Sequence, residues 1–117
     1  MSNLEKIDFT LCDFSNMNVS YTTGGQTLST TAGMFSGCSK LTNIVGGLPN
    51  LKVGIGVNPC PLTVASATTL LNSLSSTPIS NATLRFKSSM KTTYEADADF
   101  NAAVATVTAN GWTIAYA

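Results

Sequence analysis

The stretch LEKIDFTLCDF, residues 4–14, carries apolar side chains at repeat-like spacing. Leu4, Ile7, Phe9 and Phe14, with Cys12 between the last two, fit the pattern L-x-x-L-x-L-x-x-[N/C]-x-L. Polar residues alternate with the apolar ones around residues 6–10, so one strand face is predicted to enter a core while the other meets solvent. A single unit of this kind cannot bury its own apolar face, so it needs a stacked neighbour.

A second stretch, MFSGCSKLTNI at residues 34–44, has the features of a joint between two such units. Its small residues allow a tight helical turn, from which Met34, Phe35 and Cys38 are predicted to pack beneath a strand that Leu41 enters. Residues 41–44 then begin a second, less regular unit, and residues 48–53 begin a third.

These two stretches resemble the BspA-type leucine-rich-repeat proteins, whose units carry a phrase like MF-x-G-C-S-x-L-T-x-(I/L). The resemblance covers residues 4–20 and 34–53, while YTTGGQTLSTT at residues 21–31 departs from it as an extra loop. It implies a short solenoid with parallel strands and surfaces used for contact with other molecules.

The pattern changes after Pro61. Thr63 is placed to cap a helix that ends before Pro78, and residues 83–87 alternate as a strand. Thr92 and Glu95 have capping-box spacing for a second helix that ends at residues 110–111, and residues 112–116 alternate as a last strand. This tail resembles closing segments of some bacterial surface and phage structural proteins, which implies a C-terminal cap.

The predicted fold is therefore α/β: a short leucine-rich-repeat-like solenoid with parallel strands, short helical turns and a helix–strand–helix–strand C-terminal cap. We expect a single domain over residues 1–117, with repeat units in residues 1–60, a loop at 21–31 and the capping segment in residues 61–117.

Charge is sparse in this chain. Only 10% of its residues are charged, and six acidic residues balance six basic ones. A surface of this kind has no long-range field to attract nucleic acid or an anionic bilayer, but it does little to repel other subunits. The start MSNLEKIDF lacks the apolar core of a secretory signal, and no apolar run approaches the length of a membrane span. We expect no nucleic-acid partner and no membrane insertion.

The residues of this chain give little support for a catalytic function. The chain has no histidine, which removes the usual base for a serine or cysteine nucleophile, and we expect no enzyme activity and no cofactor or metal. Glu95, Asp97 and Asp99 could be a cation site or acids favoured at a helix start, and the second interpretation fits better because no calcium-loop frame surrounds them. The three cysteines are predicted to be buried thiols, and Trp112 a core residue rather than a platform for sugar stacking.

Side chains between the inward residues of the predicted strands are the candidate binding residues, because strand or concave faces of repeat proteins commonly bind partners. The alternative is that they are simply solvated. They are Lys6, Asp8, Thr10, Asn43, Asn50, Lys52, Thr83, Arg85 and Lys87.

Three functional hypotheses follow. The first is a non-enzymatic structural or interaction protein of a phage virion, such as a capsid decoration, head-fibre or tail-associated subunit. It would form a homo-oligomer or join a larger assembly, or it would attach to a host surface. The second is an adhesin or glycan-binding module on a bacterial cell surface. The third, a carboxylate-dependent glycosidase, would need two carboxyl groups facing one cleft, which the local clustering of the acids disfavours.

Overall fold

The computed structural model describes residues 3–17 and 34–117, and the predicted loop at residues 21–31 lies outside the described residues. Five strands lie in these described residues: β1 (Lys6–Asp8), β2 (Asn43–Val45), β3 (Ile55–Gly56), β4 (Thr83–Phe86) and β5 (Thr113–Tyr116). The same part of the chain contains three α-helices, α1 (Val64–Ser73), α2 (Lys91–Glu95) and α3 (Ala98–Ala109), and a short 3-10 helix that spans Ser88–Met90. The prediction of an α/β fold is confirmed.

Over residues 3–17 and 34–117, all strand pairs are parallel and fall into two sheets. β1 pairs with β2, with Ile7 opposite Ile44, and β4 lies between β3 and β5, with Leu84 opposite Ile114. The parallel strands predicted from the sequence are therefore present. The third predicted unit at residues 48–53 contains no strand, because the chain turns there through Asn50 at φ 63° before β3 begins.

Helix α1 borders the two-stranded sheet along the side of β2 that β1 does not occupy. The Ser66 hydroxyl accepts the Ile44 backbone N–H at 2.9 Å, and the Ser73 hydroxyl accepts the Leu48 N–H at 2.8 Å. The Thr63 N–H donates to the Thr42 carbonyl at 3.0 Å. Because backbone groups of β2 and its continuation bond to the helix, no strand pairs with β2 on this side within the described residues.

The joint at residues 34–44 packs as its sequence indicates. Phe35, Cys38 and Leu41 are buried, and Met34 is half-buried. The Cys38 N–H donates to the Phe35 carbonyl at 3.1 Å, and Gly37 has φ 76°, so a hydrogen-bonded turn delivers the chain into β2.

The tail begins with a helix and a strand and ends with a strand, as predicted, but the single second helix predicted from about Thr92 is wrong: a 3-10 helix, α2 and α3 stand in its place. Thr63 caps α1 by accepting the Ser66 N–H at 3.1 Å, as predicted. The predicted capping box of Thr92 and Glu95 is wrong, because both residues lie inside α2, whose N-cap Met90 makes no side-chain cap bond. The longer helix α3 has Asp97 as its N-cap, which accepts the Phe100 N–H at 2.9 Å. A carboxylate at this position satisfies a backbone donor that the helix itself leaves open.

One cluster of buried apolar residues runs from Phe35 near β2 to Trp112 before β5. An aromatic group lies inside it, where the Phe86 ring is 5.3 Å from Tyr94 and 5.6 Å from Phe100 between centroids. The Tyr94 hydroxyl donates to the Leu62 carbonyl at 2.8 Å, and burial raises the pKa of Tyr94. Among the described residues, no helix is both long and apolar enough to cross a bilayer.

Candidate binding faces of the two sheets

The outward face of the two-stranded sheet contains part of the predicted site. In β1, Lys6 and Asp8 are exposed while Ile7 between them is half-buried against the core. In β2, Asn43 is half-buried on the same side as its register partner Lys6. The alternation expected from the sequence is therefore confirmed here.

Asp8 and Thr10 form a small polar turn at the end of β1. The Thr10 N–H donates to the Asp8 carboxylate at 2.8 Å. Bonds from the Thr10 hydroxyl and backbone N–H, with a smaller contribution from Lys6, hold the pKa of Asp8 below its ordinary value. Asp8 therefore carries its negative charge, two positions along the chain from the positive charge of Lys6.

The outward face of the three-stranded sheet contains a second part of the predicted site. Thr83 and Arg85 are half-buried and alternate with the fully buried Leu84 and Phe86 along β4. Arg85 lies between Gly56 of β3 and Ala115 of β5 in register. Lys87, also half-buried, follows β4 at the next outward position.

Besides Thr10 and Lys87, which follow β1 and β4, two more predicted residues lie outside the strands. Asn50 is exposed in the turn after β2, where its amide group donates to Asp13 at 3.4 Å and its backbone N–H donates to the Ser73 carbonyl at 2.8 Å. Lys52 precedes β3, and its carbonyl accepts the Ile79 N–H at 2.9 Å. The nine predicted residues are thus divided between two sheets and their adjoining turns, and their binding role stays a prediction.

Several outward residues were missed from the sequence. Val45 is in register with Asp8, and Thr113 is in register with Thr83. Gly56 and Ala115 flank Arg85 on the same face. The alternation of residues 112–116 carried the signal for Thr113 and Ala115, whereas Gly56 could be placed only by knowing that β3 pairs with β4.

A shallow groove of about 300 Å³ lies between β2 and α1. Asn43, Thr63 and Thr69 contribute amide and hydroxyl groups to its lining, and Val45 and Ala65 contribute apolar surface. The groove joins the outward face of the two-stranded sheet through Asn43. Its lining contains no charged side chain, so it favours uncharged, hydrogen-bonding ligands.

The three acidic residues around the junction of α2 and α3 have structural roles. Glu95 pairs with Lys91 at 3.0 Å, Asp97 caps α3, and Asp99 lies in the first turn, where the helix dipole favours it. Across residues 3–17 and 34–117, no group of three or more His, Cys, Asp or Glu side chains is arranged to hold a metal ion.

The predicted core roles are confirmed for three of the four side chains concerned. Trp112 is 2% exposed and donates its indole N–H to the Ser75 carbonyl at 2.9 Å, so it offers no stacking platform. Cys38 and Cys60 are buried, and burial raises the pKa of the Cys60 thiol to about 12. The prediction is wrong for Cys12, which is exposed in the turn after β1.

Comparison with known proteins gives no relative from which a role could be transferred. No protein-family model, curated protein or solved structure matches the chain. The candidate function therefore depends on the residues and geometry described above.

Proposed function

We propose that the protein is a non-enzymatic binding and assembly subunit that contacts another protein through the outward faces of its two parallel sheets. The repeat phrases at residues 4–14 and 34–44 support a leucine-rich-repeat-like solenoid as the finer description of the fold. Their resemblance to contact-forming repeat proteins, together with the tail, supports a place in a phage virion as a decoration, head-fibre or tail-associated subunit.

The observation that carries this proposal is the separation of core-facing from outward-facing side chains along the strands. Along β1, β2 and β4, the inward residues belong to the core, whereas the outward ones include Lys6, Asp8, Asn43 and Arg85. Two of the chain's six basic residues and one of its six acidic residues thus lie on strand faces of a weakly charged protein. Charged side chains at these outward positions can give a partner specificity through paired contacts.

Site-specific photo-crosslinking tests this proposal. A benzoylphenylalanine residue would replace Thr83 in one variant and Lys6 in another, and Asn72, exposed on α1, would carry it as the control. Each variant would be illuminated in the cells that produce the native protein, and cross-linked products would be identified by mass spectrometry. We expect both strand-face variants to cross-link to the same partner, a protein other than the subunit itself. The Asn72 variant should not cross-link to that partner.

Two results would overturn the proposal. One is the lack of a cross-link to a different protein at both strand-face positions. The other is an identical set of products at Asn72, since the strand faces would then have no special role. If the captured protein is a virion component, the virion assignment is supported; if it is an envelope or cell-wall protein, that assignment is wrong.

A second candidate function, a glycan-binding module on a bacterial cell surface, is favoured by the groove between β2 and α1. Its uncharged amide and hydroxyl lining, with Asn43 and Thr69 at the surface, suits the hydroxyl groups of a neutral sugar. A glycan array tests it with the Asn43→Ala and Thr69→Ala variants, and with Thr108→Ala as the control on α3. Binding that the first two variants abolish and the control retains would support this function, and lack of binding by the wild type would exclude it for the sugars on the array.

A further inference from the structure

The outer edge of β5 is open within the described part of the chain. The three-stranded sheet has the order β3, β4, β5, so β5 has a strand on one side only. The N–H groups of Thr113 and Ala117 donate to the carbonyls of Ala82 and Phe86, at 2.9 and 3.0 Å. Because backbone groups alternate in direction along a strand, the N–H and C=O groups of Ile114 and Tyr116 point away from β4.

A groove of about 370 Å³ adjoins this edge, between β5 and α3. Half-buried Val104, Ile114 and Tyr116 supply apolar surface, and Asn101 and Thr108 of α3 add polar groups. Ile114 and Tyr116 lie on the inward side of the sheet, where their register partners Leu84 and Phe86 are fully buried. The inner layer of the sheet therefore extends into the groove, where the side chains of an added strand would find apolar contacts.

Nothing in β5 guards the edge against pairing. Natural edge strands are commonly protected by lysine, proline, a bulge or a covering element. β5 reads TIAY, with no charged residue and no proline, and its four residues pair with β4 in unbroken register. A backbone edge of this kind recognises another extended strand through main-chain hydrogen bonds.

Charge at the rim of the groove is compatible with a second copy. Lys91 and Glu95 form an ion pair at 3.0 Å, and the Lys91 ammonium lies 5.3 Å from the centre of the Tyr116 ring. A two-fold pair brings identical surfaces together, so an unbalanced charge would be opposed by its own copy. Here the acid and the base neutralise each other within one subunit, and across the two-fold axis either can face its opposite.

We propose that the β5 edge is a homodimer interface, in which β5 of a second copy pairs antiparallel with β5 about a two-fold axis. The two three-stranded sheets then form one sheet of six strands, and the grooves beside both edges are covered. This interface uses a sheet edge rather than the outward sheet faces, so it goes beyond the proposed function and does not depend on it.

Light scattering at increasing concentration tests the interface. We expect the wild type to pass from the 12.2 kDa chain mass to twice that mass between about 5 and about 500 µM. Thr113→Lys adds a charge to the outward face of the edge strand and is expected to keep the protein monomeric. The matched control is Thr83→Lys, at the register partner of Thr113 on the central strand, and it is expected to dimerise like the wild type.

Amide exchange measured by NMR supplies a second readout that does not depend on a variant. At high concentration, exchange of the Ile114 and Tyr116 amides should slow by at least about tenfold, because the second copy covers them. The Thr113 and Ala117 amides, already bonded to β4, should change little.

Three outcomes would overturn the proposal: a wild type that stays monomeric over this range, a larger open-ended series of masses, or a dimer whose Ile114 and Tyr116 amides exchange as in the monomer. Neither the presence nor the absence of a β5 dimer decides the photo-crosslinking test of the sheet faces. The two proposals can therefore fail separately.

Discussion

Gly47 lies where the turn after β2 meets helix α1. Its φ is 66°, and a Cβ atom built on it would come within 3.0 Å of the Leu70 Cα and closer still to the side chain of Ser73. Gly47→Ala therefore adds both left-handed strain and a steric clash, and we expect it to lower the free energy of unfolding by about 2 to 4 kcal/mol. Urea denaturation measures this loss.

Gly37 is the matched control for that substitution. It has φ 76°, but a Cβ atom added there would have no neighbouring atom within 4 Å, so Gly37→Ala adds strain alone. The expected loss is about 1 to 2 kcal/mol. Equal losses in the two variants would show that the approach of α1 to the turn is looser than the structure has it.

The thiols should differ sharply in reactivity. Cys12 is exposed, whereas Cys38 and Cys60 are buried. Burial raises the pKa of Cys60 to about 12, so at about pH 9 it remains a protonated, unreactive thiol in the folded protein. We expect an aromatic disulfide reagent to modify one thiol in the native protein and all three in urea.

The Cys12→Ser variant identifies the reactive group. In the native state of this variant, we expect no fast thiol modification, either at neutral pH or at about pH 9. Fast modification of a second thiol in the native wild type would contradict the burial of Cys38 and Cys60.

At the scale of the elements, Ser66 links α1 to β2. Its hydroxyl is the acceptor for the buried Ile44 N–H, and Ser66 itself is 4% exposed. Ser66→Ala leaves that N–H without an acceptor and should cost about 1 to 3 kcal/mol. Amide exchange should also become faster at Ile44 than at Ile55, whose strand is in the other sheet.

Thr69→Ala is the control, because Thr69 is exposed on the same helix. A surface substitution of this kind should change stability by less than about 0.5 kcal/mol. If Ser66→Ala and Thr69→Ala change the free energy of unfolding by the same amount, the Ile44 N–H at the edge of β2 is hydrogen-bonded to water and not to the helix.

The elements predicted well from the sequence are those with a clear local period. The bounds of strand β4 and helix α1 are predicted almost to their ends, because their signals are local. The signal for β4 is the alternation of apolar and polar residues, and the signal for α1 is an apolar stripe that follows the Thr63 cap. The break between α2 and α3 was not predicted, because Thr92 and Asp97 are both of residue types that cap helices, and no local pattern shows that Thr92 lies inside α2 while Asp97 caps α3.

The arrangement of the strands could not be read in the same way. Ser66 and Ile44 are 22 residues apart, and the bond between them separates β2 from any further strand on that side. No local pattern encodes such a bond, so the two-sheet arrangement was not predicted. For the candidate site, alternation correctly indicated the outward side chains of β1, β2 and β4, but the strand predicted to contain Asn50 and Lys52 is absent from the described residues. Nor could alternation show that β1 and β4 belong to different sheets.

At the scale of the whole molecule, one core connects the two sheets. The buried cluster includes Cys38 before β2, Phe86 of β4 and Trp112 before β5. Small domains with a continuous core generally unfold in one cooperative step. We therefore expect Trp112 fluorescence and the exposure of the Cys38 thiol to give the same urea midpoint, as the predicted single domain requires.

Phe86→Ala provides the stringent form of this test. Its ring contacts Tyr94, Phe100 and Tyr116, all on the β5 side of the molecule, and its removal should cost about 3 to 5 kcal/mol. In one cooperative unit, the loss must shift the midpoint reported by Cys38, near the other sheet, as far as that reported by Trp112. A shift seen by Trp112 alone would mean that the repeat-like half, residues 1–60, folds independently of the tail. The single-domain prediction would then be wrong, and the sheet faces would belong to two units that bind separately.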